Sequence, residues 1–407
     1  MYAVSHDTSG RIDSTPKVII VSTHPVQYAA PQYRRLAADE RVELTVLFLS
    51  MASAEGAVDT DFGRTVRWDV PLLEGFRWSH PPNRSPRPSV HRFFGLLNPG
   101  VWRLIRRARA DVVVLHGYRA ASFWIAWAAA RVSRASVAWT TDATTLAPRD
   151  RRSWKFGLKG RVLPWLFRTG DATLVPSSRG RRFLLSLGLS PERIHVTPYA
   201  VDNSFFASRA ESANPSETRR AWGVPKEAFV ALFVGKLVEW KRPADLIRAA
   251  AIVPDTWAVL AGDGVLRRRL TELAGSLGIR QRVQFLGFVN QTELPPVYRA
   301  ADVLVLPSAF EPFGLVVNEA FACGIPAIAS DACGCVEDLI VEGETGFSFP
   351  SGDVAALADR LRRIQGPGAW ERMAAGARDR ISEWGPEANL EASVAVFRRL
   401  AARGRHQ

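Results

Sequence analysis

The chain has 407 residues, 47% of them hydrophobic and 23% charged, a composition that excludes an intrinsically disordered chain; the length calls for two α/β domains of roughly 200 residues each. The net charge of +13 sits wholly in the first half: residues 1–205 hold 29 Lys and Arg against 16 Asp and Glu, and residues 206–407 hold 24 of each. The longest apolar window, 121–132, is too short for a membrane span, no period of 20–50 residues recurs, and no helix-turn-helix, RNP or finger pattern accompanies the basic half, so a membrane span, a solenoid or propeller and a nucleic-acid binder are set aside.

The leader 1–16 lacks a signal-peptide layout, which predicts a cytoplasmic protein. KVIIVST (17–23) reads as a buried strand, followed by the loop His24-Pro25-Val26-Gln27 and a helix. Strands follow at 43–50, 111–117, 136–142, 171–177 and 193–202, with helices at 98–110, 122–132 and 178–188 between them. Residues 148–170 interleave seven basic residues with Trp154, Phe156, Leu158, Trp165 and Phe167. That is the composition of an interfacial helix resting on acidic headgroups, although Pro164 interrupts it.

Residues 203–225 are polar and proline-punctuated and read as a linker, with the boundary near Ala207. The expected units are 1–206, basic and acceptor-facing; 207–386, nucleotide-binding; and a closing helix in 387–407 placed to pack back across the cleft. The second half restarts the alternation with strands at 229–237, 257–264, 283–289, 301–308 and 325–331. Alternation of this kind predicts two doubly wound parallel sheets with their functional loops on one edge. Cys323, Cys333 and Cys335 have no companion ligands at metal-site spacing and read as small buried residues.

The chemistry concentrates at strand ends. GKLVEWK (235–241) places Gly235, where backbone must approach a ligand, before Lys236 and Lys241, whose amines suit a diphosphate. In SAFEPFGLVVNEAFA (308–322), Phe313, Gly314 and Leu315 precede a helix whose unpaired amides and dipole attract phosphate. Glu319 then faces the same cleft and suits a ribose diol, while Glu311 on the loop suits sugar hydroxyls.

The ordered set EPFGLVVNEAFACGIPAIAS, GKL-x3-K, GDG, VQFLGFV and ADVLVLPS resembles the retaining nucleotide-sugar glycosyltransferases of family 4, which have the GT-B fold of two Rossmann-like domains facing across a cleft. The likeness is dense over the second half and looser over 171–206. It implies a nucleotide-sugar donor held by Glu319 at the ribose, Glu311 at the sugar, the amides of Phe313, Gly314 and Leu315, and Lys236 and Lys241 at the diphosphate, with Phe288 of VQFLGFV beside the base. It also implies that His116, which ends DVVVLHG, lies near the reacting sugar. His24, Gln27 and Asp142 are set on the acceptor side. Departures are Lys236, where the family often has arginine, the 24–27 loop in place of a Gly-Gly loop, and Cys335 in a turn that is commonly glycine-rich.

The implied reaction is front-face sugar transfer with retention, stabilised by cationic side chains, so neither metal nor cofactor is expected. An anionic or lipid-linked acceptor at the inner membrane face would match the basic half, in glycolipid or polysaccharide synthesis. The alternatives are a sugar-nucleotide 2-epimerase and a non-catalytic basic scaffold.

Overall fold

The computed structural model describes residues 15–59, 64–146 and 154–404, with the side chains of 57–59, 64–66 and 154–159 left aside. Short β-branched runs that cannot leave their backbone groups unpaired in a core pair laterally. In chain order they form β1 (Lys17–Ser22), β2 (Glu43–Phe48), β3 (Ala57–Asp59), β4 (Arg64–Val66), β5 (Arg77–Ser79), β6 (Val112–His116), β7 (Ser136–Thr140), β8 (Ala172–Val175) and β9 (Ile194–Val196). After these come β10 (Phe229–Val234), β11 (Thr256–Ala261), β12 (Val283–Gly287), β13 (Val303–Leu306), β14 (Ala327–Ser330) and β15 (Gly346–Phe349).

The first parallel sheet has the order β5-β2-β1-β6-β7-β8-β9 and the second the order β12-β11-β10-β13-β14-β15, while β3 and β4 form a separate antiparallel pair. Both orders reverse direction beside their first strand, at β1/β6 and at β10/β13. Crevices form at such switch points, outside the carboxyl ends of the strands, because consecutive connections leave toward opposite faces.

Alternate residues of each strand feed opposite faces, as the two-residue strand period requires. Val230, Leu232 and Val234 join one core and Ala231 and Phe233 the other. In the first sheet Val113 and Leu115 face away from Val112 and Val114. The closing helix Pro386–Gly404 lays Val394, Phe397, Leu400 and Ala401 on the first sheet, an i, i+3, i+6, i+7 stripe. Ser136 Oγ donates to the Leu400 carbonyl at 2.8 Å, and Asn389 Nδ2 donates to that of Pro198 at 2.8 Å.

Residues 203–225, read as a linker, are instead largely helical, at Asn203–Glu211 and Pro215–Ala221. Asp202 and Asn214 cap these helices by accepting amide hydrogens of the first turn, and Phe206, Ala210 and Val224 bury against the second sheet's core. Among the described residues no helix is long and apolar enough to cross a membrane. Residues 147–153 of the basic segment fall outside the described residues; Trp154–Arg168 is helical, with Trp165 and Val162 exposed and Leu163, Leu166 and Phe167 buried.

Candidate functional site

A cavity of about 340 Å³ opens where the two sheets present their carboxyl edges to each other. The second lobe supplies Gly235 and Gly262 at the ends of β10 and β11, Lys241, Phe288, Glu311, Phe313 to Val316, and Glu319. From the first lobe come Gln27, Tyr28, Trp68, Asp142 and Tyr199. Lys236, His24 and His116 lie outside the lining.

The loop after β13 is braced from beneath. Glu311 bridges to Cys333, Gly334 N donates to the Glu311 carbonyl at 3.0 Å, and Cys335 N donates to that of Phe313 at 2.9 Å. A Cβ on Gly334 would stand 1.9 Å from the Pro312 carbonyl oxygen, so this strut admits only glycine. Gly314 takes φ 108° and starts the helix Leu315–Ala322, a conformation costly for a side chain. A Cβ there would meet Leu306 Cδ2 at 2.8 Å and Cys335 Sγ at 3.2 Å. All three cysteines are buried and unpaired, and burial pushes the Cys333 thiol up to about 12.

Lys241 Nζ and the Glu311 carboxylate form an ion pair. Glu319 is almost fully enclosed and accepts the Tyr298 hydroxyl at 2.6 Å. Burial raises its carboxyl to about 7, against the lowering effect of that hydrogen bond. Asp142 reaches the cleft from the turn after β7; desolvation by the facing walls, and then the charge of Glu311, raise its pKa even though it keeps contact with solvent. His116 ends β6 with its Nδ1 3.4 Å from the Tyr33 hydroxyl, and burial drives its pKa down to about 4, so its ring is neutral at pH 7. His24 is likewise lowered by burial.

The lobes are joined beside the site. Arg179 donates to the carbonyls of Cys333, at 3.0 Å, and Asp331, at 2.7 Å, and Ser178 N donates to the Asp338 carboxylate at 3.0 Å. Tyr199 stands edge-on to Phe313 at 5.6 Å and 5.8 Å from Tyr28. Tyr298, Tyr28, Tyr199 and Trp68 escaped sequence reasoning, since each acts through a tertiary contact that no local pattern announces.

The sequence contains one Asp-x-Asp, Asp59-Thr60-Asp61, which the expectation of metal independence overlooked. Asp59 ends β3, outside both main sheets, and residues 60–63 fall outside the described residues. Among the described residues no group of three or more His, Cys, Asp or Glu gathers as metal ligands do.

Two family models match in succession, a glycosyl transferase 4-like domain over residues 25–200 and glycosyl transferases group 1 over 215–378. The chain is similar to the D-inositol 3-phosphate glycosyltransferase of Thermomonospora curvata, at 34% identity over 244 residues covering 56% of each chain. It is similar to that of Mycolicibacterium gilvum, at 36% over 200 residues covering 48% of this chain and 44% of the relative. The chain thus spans about half the length of the curated relatives it matches. Among solved structures, Anabaena HepE in complex with UDP superposes with a TM-score of 0.72 at 22% identity, over 93% of this chain and 99% of that one. Sucrose-phosphate synthase from Thermosynechococcus elongatus gives 0.72 at 21%, over 95% and 100%. At these identities the likeness is one of fold.

Proposed function

For a chain that belongs to the group 1 glycosyltransferases and has their GT-B fold, we propose that it moves a hexose from a nucleoside-diphosphate sugar to an acceptor hydroxyl with retained anomeric configuration. The observation that carries this reading is the meeting of Lys241, Glu311, the helix start at Phe313 to Leu315, and Glu319 in one cavity at the β10/β13 switch point. A cation and a helix N-terminus suit a diphosphate, and two carboxylates suit hydroxyls on either side of it.

Front-face attack fits these groups. The acceptor oxygen bonds to the anomeric carbon as the bond from that carbon to the diphosphate oxygen breaks, and the departing diphosphate takes the acceptor's proton. Double displacement would instead need an ionised carboxylate free to attack. Glu311 is held by Lys241 and Glu319 by Tyr298. In this reading Lys241 and the helix amides carry the developing charge, with Lys236 adding to the field, and no divalent ion is required. His116, neutral at pH 7, offers a hydrogen bond rather than a charge.

For the acceptor, the charge surplus of the first half favours a phosphorylated or lipid-linked molecule in cell-envelope glycan synthesis. The similar D-inositol 3-phosphate glycosyltransferases carry a phosphorylated polyol in their name, which agrees with that chemistry. Exposed Trp165 and Val162 on the basic helix support peripheral contact with a membrane surface.

The test is a panel of uridine-, guanosine- and adenosine-diphosphate sugars, followed by thermal shift and by release of nucleoside diphosphate. One class should stabilise the protein by a few degrees and be slowly hydrolysed. No response to any of them would remove the proposal.

A further inference from the structure

The cavity's chemistry changes along the second sheet. Lys241 and Glu311 stand beyond β10 and β13, at the switch point, whereas Phe288 and Val289 follow β12, the edge strand two positions away from β10. Two strand spacings of ~4.8 Å separate the charged end from the apolar end by roughly 10 Å, about the reach from a diphosphate to the base of the same nucleotide. Leu294 and Gln291 line the apolar end as well.

This end is roofed from the other lobe. Trp68 lies in the segment after β4 and lines the cavity, its ring centroid 6.2 Å from that of Phe288 and tilted by 52°. Both of its chain neighbours are tied to the loop it covers. The Arg67 carbonyl accepts from Asn290 Nδ2 at 2.8 Å, and the Asp69 carboxylate accepts from Thr292 N at 3.2 Å and from Thr292 Oγ1. An indole held on both sides over an apolar hollow is a stacking surface for a flat aromatic group, while Gln291 supplies an amide able to meet a polar edge.

We infer that Trp68 is the face on which the donor's nucleobase stacks, so that the first lobe binds nucleotide directly. The inference rests on the nucleoside-diphosphate reading proposed above and adds a binding residue to it. Because the strap 67–69 belongs to the opposite lobe, a base stacked on Trp68 adds a contact to a cleft that Arg67 and Asp69 already bridge to Asn290 and Thr292.

Titration calorimetry of the full chain with UDP, GDP and ADP first identifies the base that binds. For that nucleotide, Trp68→Ala weakens affinity about tenfold, the scale of one base stacked on an aromatic ring. Trp68→Phe keeps most of it, and inorganic pyrophosphate binds wild type and both variants alike. Asp69→Ala, which releases the strap but retains the indole, also weakens the nucleotide and spares pyrophosphate. Unchanged nucleotide affinity in Trp68→Ala, or an equal loss for pyrophosphate, overturns the assignment of Trp68 and leaves the donor reading standing. Failure of all three nucleotides to bind wild type overturns the donor reading, and the inference with it.

Discussion

Lys241 and Glu311 form an ion pair on the floor of the cleft, with side chains 21% and 13% exposed. Each therefore holds the other's charge in a place where water screens it weakly. A diphosphate arriving at Lys241 shares the amine with Glu311, and a sugar hydroxyl can donate to the carboxylate that the amine still holds. Lys241→Ala should lose about 2–4 kcal/mol of transition-state stabilisation, read as a fall in kcat in single-turnover assays. It also leaves Glu311 unpaired, so adding Glu311→Gln should cost less than it does alone, and Lys241→Arg should keep part of the rate. Strict additivity of the two losses would break the link.

Glu319 makes a pH prediction. Burial lifts its carboxyl from an ordinary 4.5 to about 7, so the folded state holds the proton to higher pH than the unfolded state does. Its contribution to stability is greatest below about pH 4.5 and declines as pH rises through about 7. Glu319→Gln cannot ionise and still offers an oxygen to Tyr298. It should raise Tm over wild type at pH 8 and have little effect at pH 5. Ribose hydroxyls would favour the ionised carboxylate, so the wild-type donor KM should fall from pH 6 to pH 8, while the variant's stays high and flat. Parallel KM profiles would remove Glu319 from ribose binding.

Gly334→Ala tests the brace under Glu311. The new methyl group meets the Pro312 carbonyl oxygen at 1.9 Å, so the loop must shift. Since displacements of about 1 Å cost up to a hundredfold in rate, kcat should drop tenfold or more while circular dichroism stays native. Wild-type kcat would mean that the loop tolerates the shift.

Metal independence has a direct check. With excess chelator, transfer should keep most of its rate, because Lys241 and the helix amides supply the positive field. Loss of activity that magnesium or manganese restores would point back to Asp59-Thr60-Asp61 or to another site.

Much of the fold was legible because buried parallel strands must be continuous apolar runs, as in DVVVLHG and ADVLVLPS. Glu311, Gly314 and Glu319 were legible because one strand, one turn and one helix carry all three. The helices in 203–225 were not, since they are short and owe their stability to Phe206 and Val224 docking on a distant sheet. Trp68 and Tyr199 meet Phe288 and Phe313 of the second lobe only after folding, and nothing in their neighbourhoods repeats with a helical or strand period. Of the two lysines expected at the phosphate, only Lys241, in the turn Glu239–Lys241 after β10, lines the cavity.

The most direct test of the central claim is calorimetric titration of wild type, Lys241→Ala and Glu319→Ala with UDP-glucose, GDP-mannose and ADP-glucose. Saturable binding of one of these by wild type, weakened at least tenfold in both variants, is the predicted result. Binding to wild type that neither variant disturbs would contradict it.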